Sequence, residues 1–238
     1  MANVPFTPIA LKQIPTHNTD NDTTVKRIEE SNGLNFDGVH RHNFFEVLLF
    51  TEVPDGGSHS IDFEELPIGT DCIYVLKPGQ AYSMALTSHK GYLIAIKQEY
   101  LLNSGLLFEN RLGHTSPSIL LPADNDRSAI GSVIGLMLEE YEGRKRSGLV
   151  NAHVNTLMAY ISTLIREGHE SAGISSRMRT LLELIEQNYI REHSVEFYAA
   201  KLSLGKKRLN VLAVEALGLT VKQLIQQRLL LQAKRMIS

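Results

Sequence analysis

Two groups of residues in this chain have types and spacings that could do chemistry. The first is Lys206-Lys207-Arg208-Leu209-Asn210-Val211-Leu212-Ala213-Val214. Wound as a helix, Leu209, Leu212, Ala213 and Ala216 turn to one side, and Lys207, Asn210, Val211 and Val214 to the other. An asparagine amide can pair with adenine in bidentate fashion, and a valine can touch a thymine methyl, each good pair contributing about 1–3 kcal/mol of discrimination. Lys206, Lys207 and Arg208 suit phosphates, giving affinity and salt dependence without sequence information. The second group is His40-Arg41-His42-Asn43-Phe44-Phe45-Glu46. On one strand His40, His42 and Glu46 would share a side. Imidazoles and a carboxylate there can hold a metal, line a ligand pocket or simply hydrogen-bond one another.

The first group needs a scaffold that pushes its helix outward. Ser194 can cap a helix starting at Val195, with the small Ala199 inside it where another helix crosses. Leu202 closes the core face. Ser203-Leu204-Gly205 makes the turn, with Gly205 available for a backbone conformation other residues resist. The basic helix then spans about Lys206 to Leu217, and Gly218 caps it. Helix, tight turn and second helix in this order present one helix to the major groove of DNA. Ahead of them, Met178, Leu181, Leu182, Ile185 and Tyr189 mark another amphipathic helix after a Gly/Ser-containing linker at 168–176.

The run Ala199-x2-Leu202 … Leu209-x3-Ala213-x4-Gly218-x9-Arg228-x4-Ala233 resembles the first helix-turn-helix of AraC/XylS-family transcription regulators. The stretch from Arg228 is similar to that family's linker helix. The family carries two such subdomains set in successive major grooves, and only the first is recognisable here. Gly205 departs from the family, which usually places a capping serine there. Leu229, Leu230 and Leu231 make the last helix apolar nearly all round, and Ser238 follows without a stop signal, so a chain cut short of the second subdomain is the expectation.

Upstream, Phe44–Thr51, Ser58–Phe63, Cys72–Leu76, Tyr82–Leu86 and Tyr92–Lys97 are short runs rich in Val, Ile, Phe and Tyr. Turn residues at 54–57, 67–69 and 77–79 separate them, which predicts an all-β sandwich or barrel. The H-x-H-x3-E spacing looks like the first motif of the cupin barrel, and Gly69 … Pro78-Gly79-Gln80-Ala81-Tyr82 resembles the second. Cupins add a later histidine as a fourth ligand. Tyr82 stands at that position, and a phenol must first lose a proton to ligate. The family resemblance implies a metal-free barrel holding a small effector, with His40, His42, Glu46 and Tyr82 as its candidate contacts. A metal-dependent cupin dioxygenase or isomerase is the alternative.

Beyond the barrel, Ile130, Val133, Ile134, Met137, Leu138 and Tyr141 recur at helical spacing. After a polar break at 143–148, Val150, Val154, Leu157, Ile161 and Leu164 form a regular seam. It would pack on the β-domain or on a second copy, and a homodimer is expected. Residues 1–24 read as a flexible arm. The expected fold is therefore α+β: a cupin-like barrel with its arm over 1–122, a helical hairpin over 123–170, and a helix-turn-helix subdomain with linker helix over 176–238.

Charge is distributed unevenly behind a net −2. Residues 1–125 hold 8 Lys+Arg against 15 Asp+Glu, whereas residues 191–238 hold 9 against 3. An acidic body with a basic end suits a polyanion met at one end only. The single Cys72, in an apolar stretch, excludes an internal disulfide and suits a reducing compartment. No secretory signal and no run of about 20 apolar residues is visible, so a cytoplasmic protein without membrane contact is expected. No phosphate loop, nucleophile elbow or cysteine pair is found, and no catalytic residue, metal or cofactor is assigned.

Overall fold

The computed structural model describes residues 12–13, 22–30, 39–54, 57–84, 88–103, 119–171 and 174–237. Most of the arm expected over 1–24, the Asp55-Gly56 turn and Ser238 lie outside the described residues. Ten strands form two five-stranded sheets among those residues. One runs β1 (Lys12–Gln13), β3 (His40–Arg41), β8 (Tyr82–Met84), β5 (Ser58–Ile61), β6 (Glu64–Pro67). The other runs β10 (Ile119–Leu120), β7 (Ile73–Leu76), β4 (Phe44–Glu52), β9 (Lys90–Lys97), β2 (Thr23–Arg27).

The central β4, FFEVLLFTE, is covered on both faces, which is why its sequence is apolar almost throughout. Phe45, Val47 and Leu49 point one way, with Ile73, Val75, Ile94 and Ile96 of the neighbouring strands. Leu48 and Phe50 point the other way and meet Ile61, Tyr82 and Met84 of the first sheet. The molecule here is a stack of sheet, sheet and helices. Two helices cover the outer face: α2 (Asp124–Leu138) and α3 (Ser147–Ser171). A short α1 (Gln98–Asn103) extends β9, and a π-helical turn (Glu139–Arg144) leads from α2. Lys145 then takes a left-handed conformation (φ 53°), and Arg146 pairs with the buried Glu140.

Two expectations change. Strand pairing among the described residues stays within each sheet, so the two sheets are open and stacked where a closed cupin-like barrel was expected. Burial under α2 and α3 protects the second sheet in place of closure. The α3 seam of Val150, Val154, Leu157 and Ile161 packs inside the chain, against α2 and that sheet. It is fully used there, and so gives no support to a homodimer.

A separate core follows. Met178, Leu181, Leu182 and Ile185 of α4 (Ser176–Asn188) join residues from α5 (Val195–Lys201), α6 (Lys206–Leu217) and α7 (Val221–Ile237). Tyr198 is its largest fully enclosed side chain, and the buried phenol donates to the Glu192 carbonyl at 2.8 Å. That burial pushes its pKa up to about 12.

Candidate nucleic-acid interface and buried polar cluster

The helix pair is built as its sequence indicates. Ser194 caps α5 by accepting from the Phe197 amide, and Leu202 ends it. The turn is closed by the Leu204 amide donating to Ala199 at 2.9 Å. Its left-handed residue is Ser203 (φ 53°), not Gly205, which sits in ordinary extended backbone (φ −73°). Gly218 is left-handed (φ 70°) and its amide donates to Val214, as a terminating glycine should.

Leu209 and Ala213 anchor α6 in the core. Lys206, Lys207 and Arg208 are exposed in its first turn, and Val211 and Val214 stand 43% and 45% exposed. Lys206 is engaged with Glu196 of α5 at 2.6 Å. Asn210 is half-buried, and its Oδ1 accepts from the Val221 amide at 3.1 Å, tying α6 to the start of α7. That oxygen keeps a second lone pair, so a base contact by Asn210 would have to share or break this strut.

Two features were not read from the sequence. Thr220 and Gln223 cap α7 reciprocally: the Thr220 amide donates to Gln223 Oε1 at 2.8 Å, and the Gln223 amide to Thr220 Oγ1 at 3.3 Å. The T-x-x-Q spacing is a visible signature of this box. Arg228 is buried, and its guanidinium forks onto Glu186 at 2.9 and 3.2 Å. It also donates to the Tyr189 hydroxyl at 2.9 Å and lies over that ring. The motif carried Arg228, but nothing in the spacing names partners 42 and 39 residues away.

His40, His42, Glu46 and Tyr82 do converge, though not by strand parity. His42 lies in the break between β3 and β4, so His40 and Glu46 belong to different sheets. Pairing of His40 with Tyr82 and stacking of the sheets bring them together. All four are buried. Glu46 Oε2 lies 2.9 Å from both His42 Nε2 and the Tyr82 hydroxyl, and the His40 ring is 4.0 Å from the Tyr82 ring. Burial, then the Glu46 carboxylate, raise the Tyr82 phenol well above its ordinary value. A metal does not fit this set. His42 and Glu46 are turned onto each other, the phenol holds its proton, and no group of three metal-ligating side chains is poised for an ion among the described residues.

No protein-family profile matches the chain, and no curated protein matches it in sequence. Solved structures do. The AraC-like transcriptional activator CuxR is similar with a TM-score of 0.40 and 18% identity, over 80% of this chain and 67% of that one. ToxT from Vibrio cholerae O395 is similar with a TM-score of 0.37 and 16% identity, over 85% of this chain and 76% of that one. Unsaturated fatty acid bound ToxT from Vibrio cholerae gives 0.29 and 12%, over 87% and 96%. Likeness at this level carries no functional inference.

Proposed function

We propose that this chain is a sequence-specific DNA-binding regulator of transcription, in which α6 enters the major groove and the two-sheet unit responds to a small-molecule effector. One observation carries the reading. The side of α6 opposite Leu209 and Ala213 is open, and it bears Lys207, Val211 and Val214 in one stripe beside Arg208. Exposed valines on a helix are unfavourable in water and useful against thymine methyls. Lys207 and Arg208 supply phosphate contacts, and Lys206 adds one by exchanging Glu196 for a phosphate. Asn210 ties α6 to α7 and, in this reading, offers the remaining capacity of its amide to a base. A promoter target means work in the cytoplasm, and no helix among the described residues is long and apolar enough to cross a membrane.

In this reading the effector meets the buried polar cluster between the sheets, with His40, His42, Glu46 and Tyr82 as its contacts, and the packed layer there must open to admit it. An entering ligand would have to displace one of the hydrogen bonds that Glu46 accepts. Selection from a random DNA pool followed by anisotropy titrations tests the DNA-reading role of α6. Lys207→Ala and Arg208→Ala should weaken all sequences alike and flatten the salt slope by about 0.9 for each phosphate no longer neutralised. Val214→Ala should relax preference at one A·T position. Binding no stronger than that of an unrelated polyanion, or indifferent to both charge variants, would sink the reading.

A further inference from the structure

A cavity of about 420 Å³ lies away from both groups, between the start of β2 and the first turn of α3. Asp22 and Lys145 stand exposed among its lining residues, and Thr23, Tyr141, Val150 and Asn151 line the rest. Thr23 is 2% exposed, and its Oγ1 has no hydrogen-bond partner among the described residues. Alternation along β2 puts Thr23 on the face of Val25, the face that the helices cover, and Thr23 lines this space. A buried hydroxyl without a partner is costly unless something enters to meet it.

The electrostatics are bipolar. Lys145 makes no ion pair among the described residues, and Ser147 beside it opens a 25-residue helix whose amide end favours a negative group. Asp22, at the β2 side, favours a positive one. A simple anion would meet Asp22 and a simple cation would meet Lys145. A neutral sugar would use neither charge. A molecule carrying both charges satisfies both ends at once. We infer that this cavity binds a zwitterionic α-amino acid with a polar, uncharged side chain: its ammonium on Asp22, its carboxylate on Lys145 and the first turn of α3, its side chain toward Thr23 Oγ1. Lined by Val150 as well as polar groups, the volume lies within the usual range for small-ligand sites. Binding there would tie the edge strand β2 to α3.

Calorimetric titration of the full chain with L-glutamine and L-threonine tests this, with L-leucine, the acid lacking the amine and the amine lacking the carboxylate as comparisons. Saturable binding is expected for the polar amino acids. Lys145→Ala and Asp22→Asn, both at exposed positions that leave the fold intact, should each weaken it about two- to fivefold. Thr23→Val should weaken glutamine and threonine about two- to tenfold while leaving leucine unchanged. No saturable binding up to 10 mM (about the weakest affinity of interest) overturns the inference. So does equal binding of the acid lacking the amine, or insensitivity to Asp22→Asn. Titration without DNA keeps this outcome separate from the fate of the DNA reading.

Discussion

Glu46 Oε2 sits at the junction of two hydrogen bonds, and the donors can be worked out atom by atom. His42 Nδ1 faces the Phe44 carbonyl at 2.8 Å and must donate to it. Its Nε2 therefore either donates a second proton to a carboxylate or accepts one from a carboxylic acid. The pair shares one proton in both cases, and the Tyr82 hydroxyl donates into it. Tyr82→Phe leaves the ring and removes that donor from a buried acceptor, so urea unfolding should report a loss of about 1–2 kcal/mol. A variant as stable as the wild type would show that the hydroxyl is replaceable by water. His59 behaves differently. It is buried against Tyr74 with neither ring nitrogen hydrogen-bonded among the described residues, and burial holds its pKa down to about 4. Unfolded, it titrates near 6.5. As pH falls below about 6.5 the unfolded chain takes a proton that the folded one refuses. The resulting destabilisation is about 2 kcal/mol at pH 5 and about 3 near pH 4. His59→Leu should remove most of the drop in urea midpoint between pH 7 and pH 5. An unchanged slope would place the acid sensitivity elsewhere.

Among the elements, α6 shows how far local chemistry reaches. Its span, its buried face and its Gly218 terminus could all be read from Lys206 to Gly218, because a 3.6-residue period and a left-handed cap are properties of adjacent residues. The direction of Asn210 could not, since it depends on where α7 begins. The same divide runs through the sheets. β4, β7 and β9 were legible as apolar runs, whereas β6, with the polar sequence EELP on an edge, and β2, whose first two residues fell in the expected arm, were not. Whether such strands close or stack depends on the helices covering them, and periodicity within one segment carries no trace of that. His40, His42, Glu46 and Tyr82 were found as a set, but by a parity that the break at His42 abolishes. Gly205 offers a direct test of the local part. It occupies the N-cap of α6 in extended backbone with no side-chain cap, and a Cβ there would meet nothing within 4 Å. Gly205→Ser should gain about 0.5–1 kcal/mol, from a capping hydroxyl and a less flexible unfolded chain. A loss in thermal midpoint would mean that the turn needs glycine after all.

At the scale of the whole molecule, core and charge divide the chain in the same place. One set of buried residues lies on the two faces of the β4 sheet, under α2 and α3 on one side and the first sheet on the other. The other lies wholly within α4 to α7 and shares no residue with it. The acidic excess falls in the first part and the basic excess in the second. Two cores without common residues can lose cooperativity separately, as multidomain chains do. Arg228 probes this, because its fork onto Glu186 and its hydrogen bond to Tyr189 belong to the second core alone. Arg228→Ala leaves Glu186, itself partly exposed, without its partner, and should cost about 2–3 kcal/mol in that core. Helical circular dichroism should then show an early transition while the β-sheet signal melts at its wild-type temperature. If helix and sheet signals instead shift together by the same amount, the two cores unfold as one, and whatever the sheets sense is mechanically coupled to α6 through the fold itself.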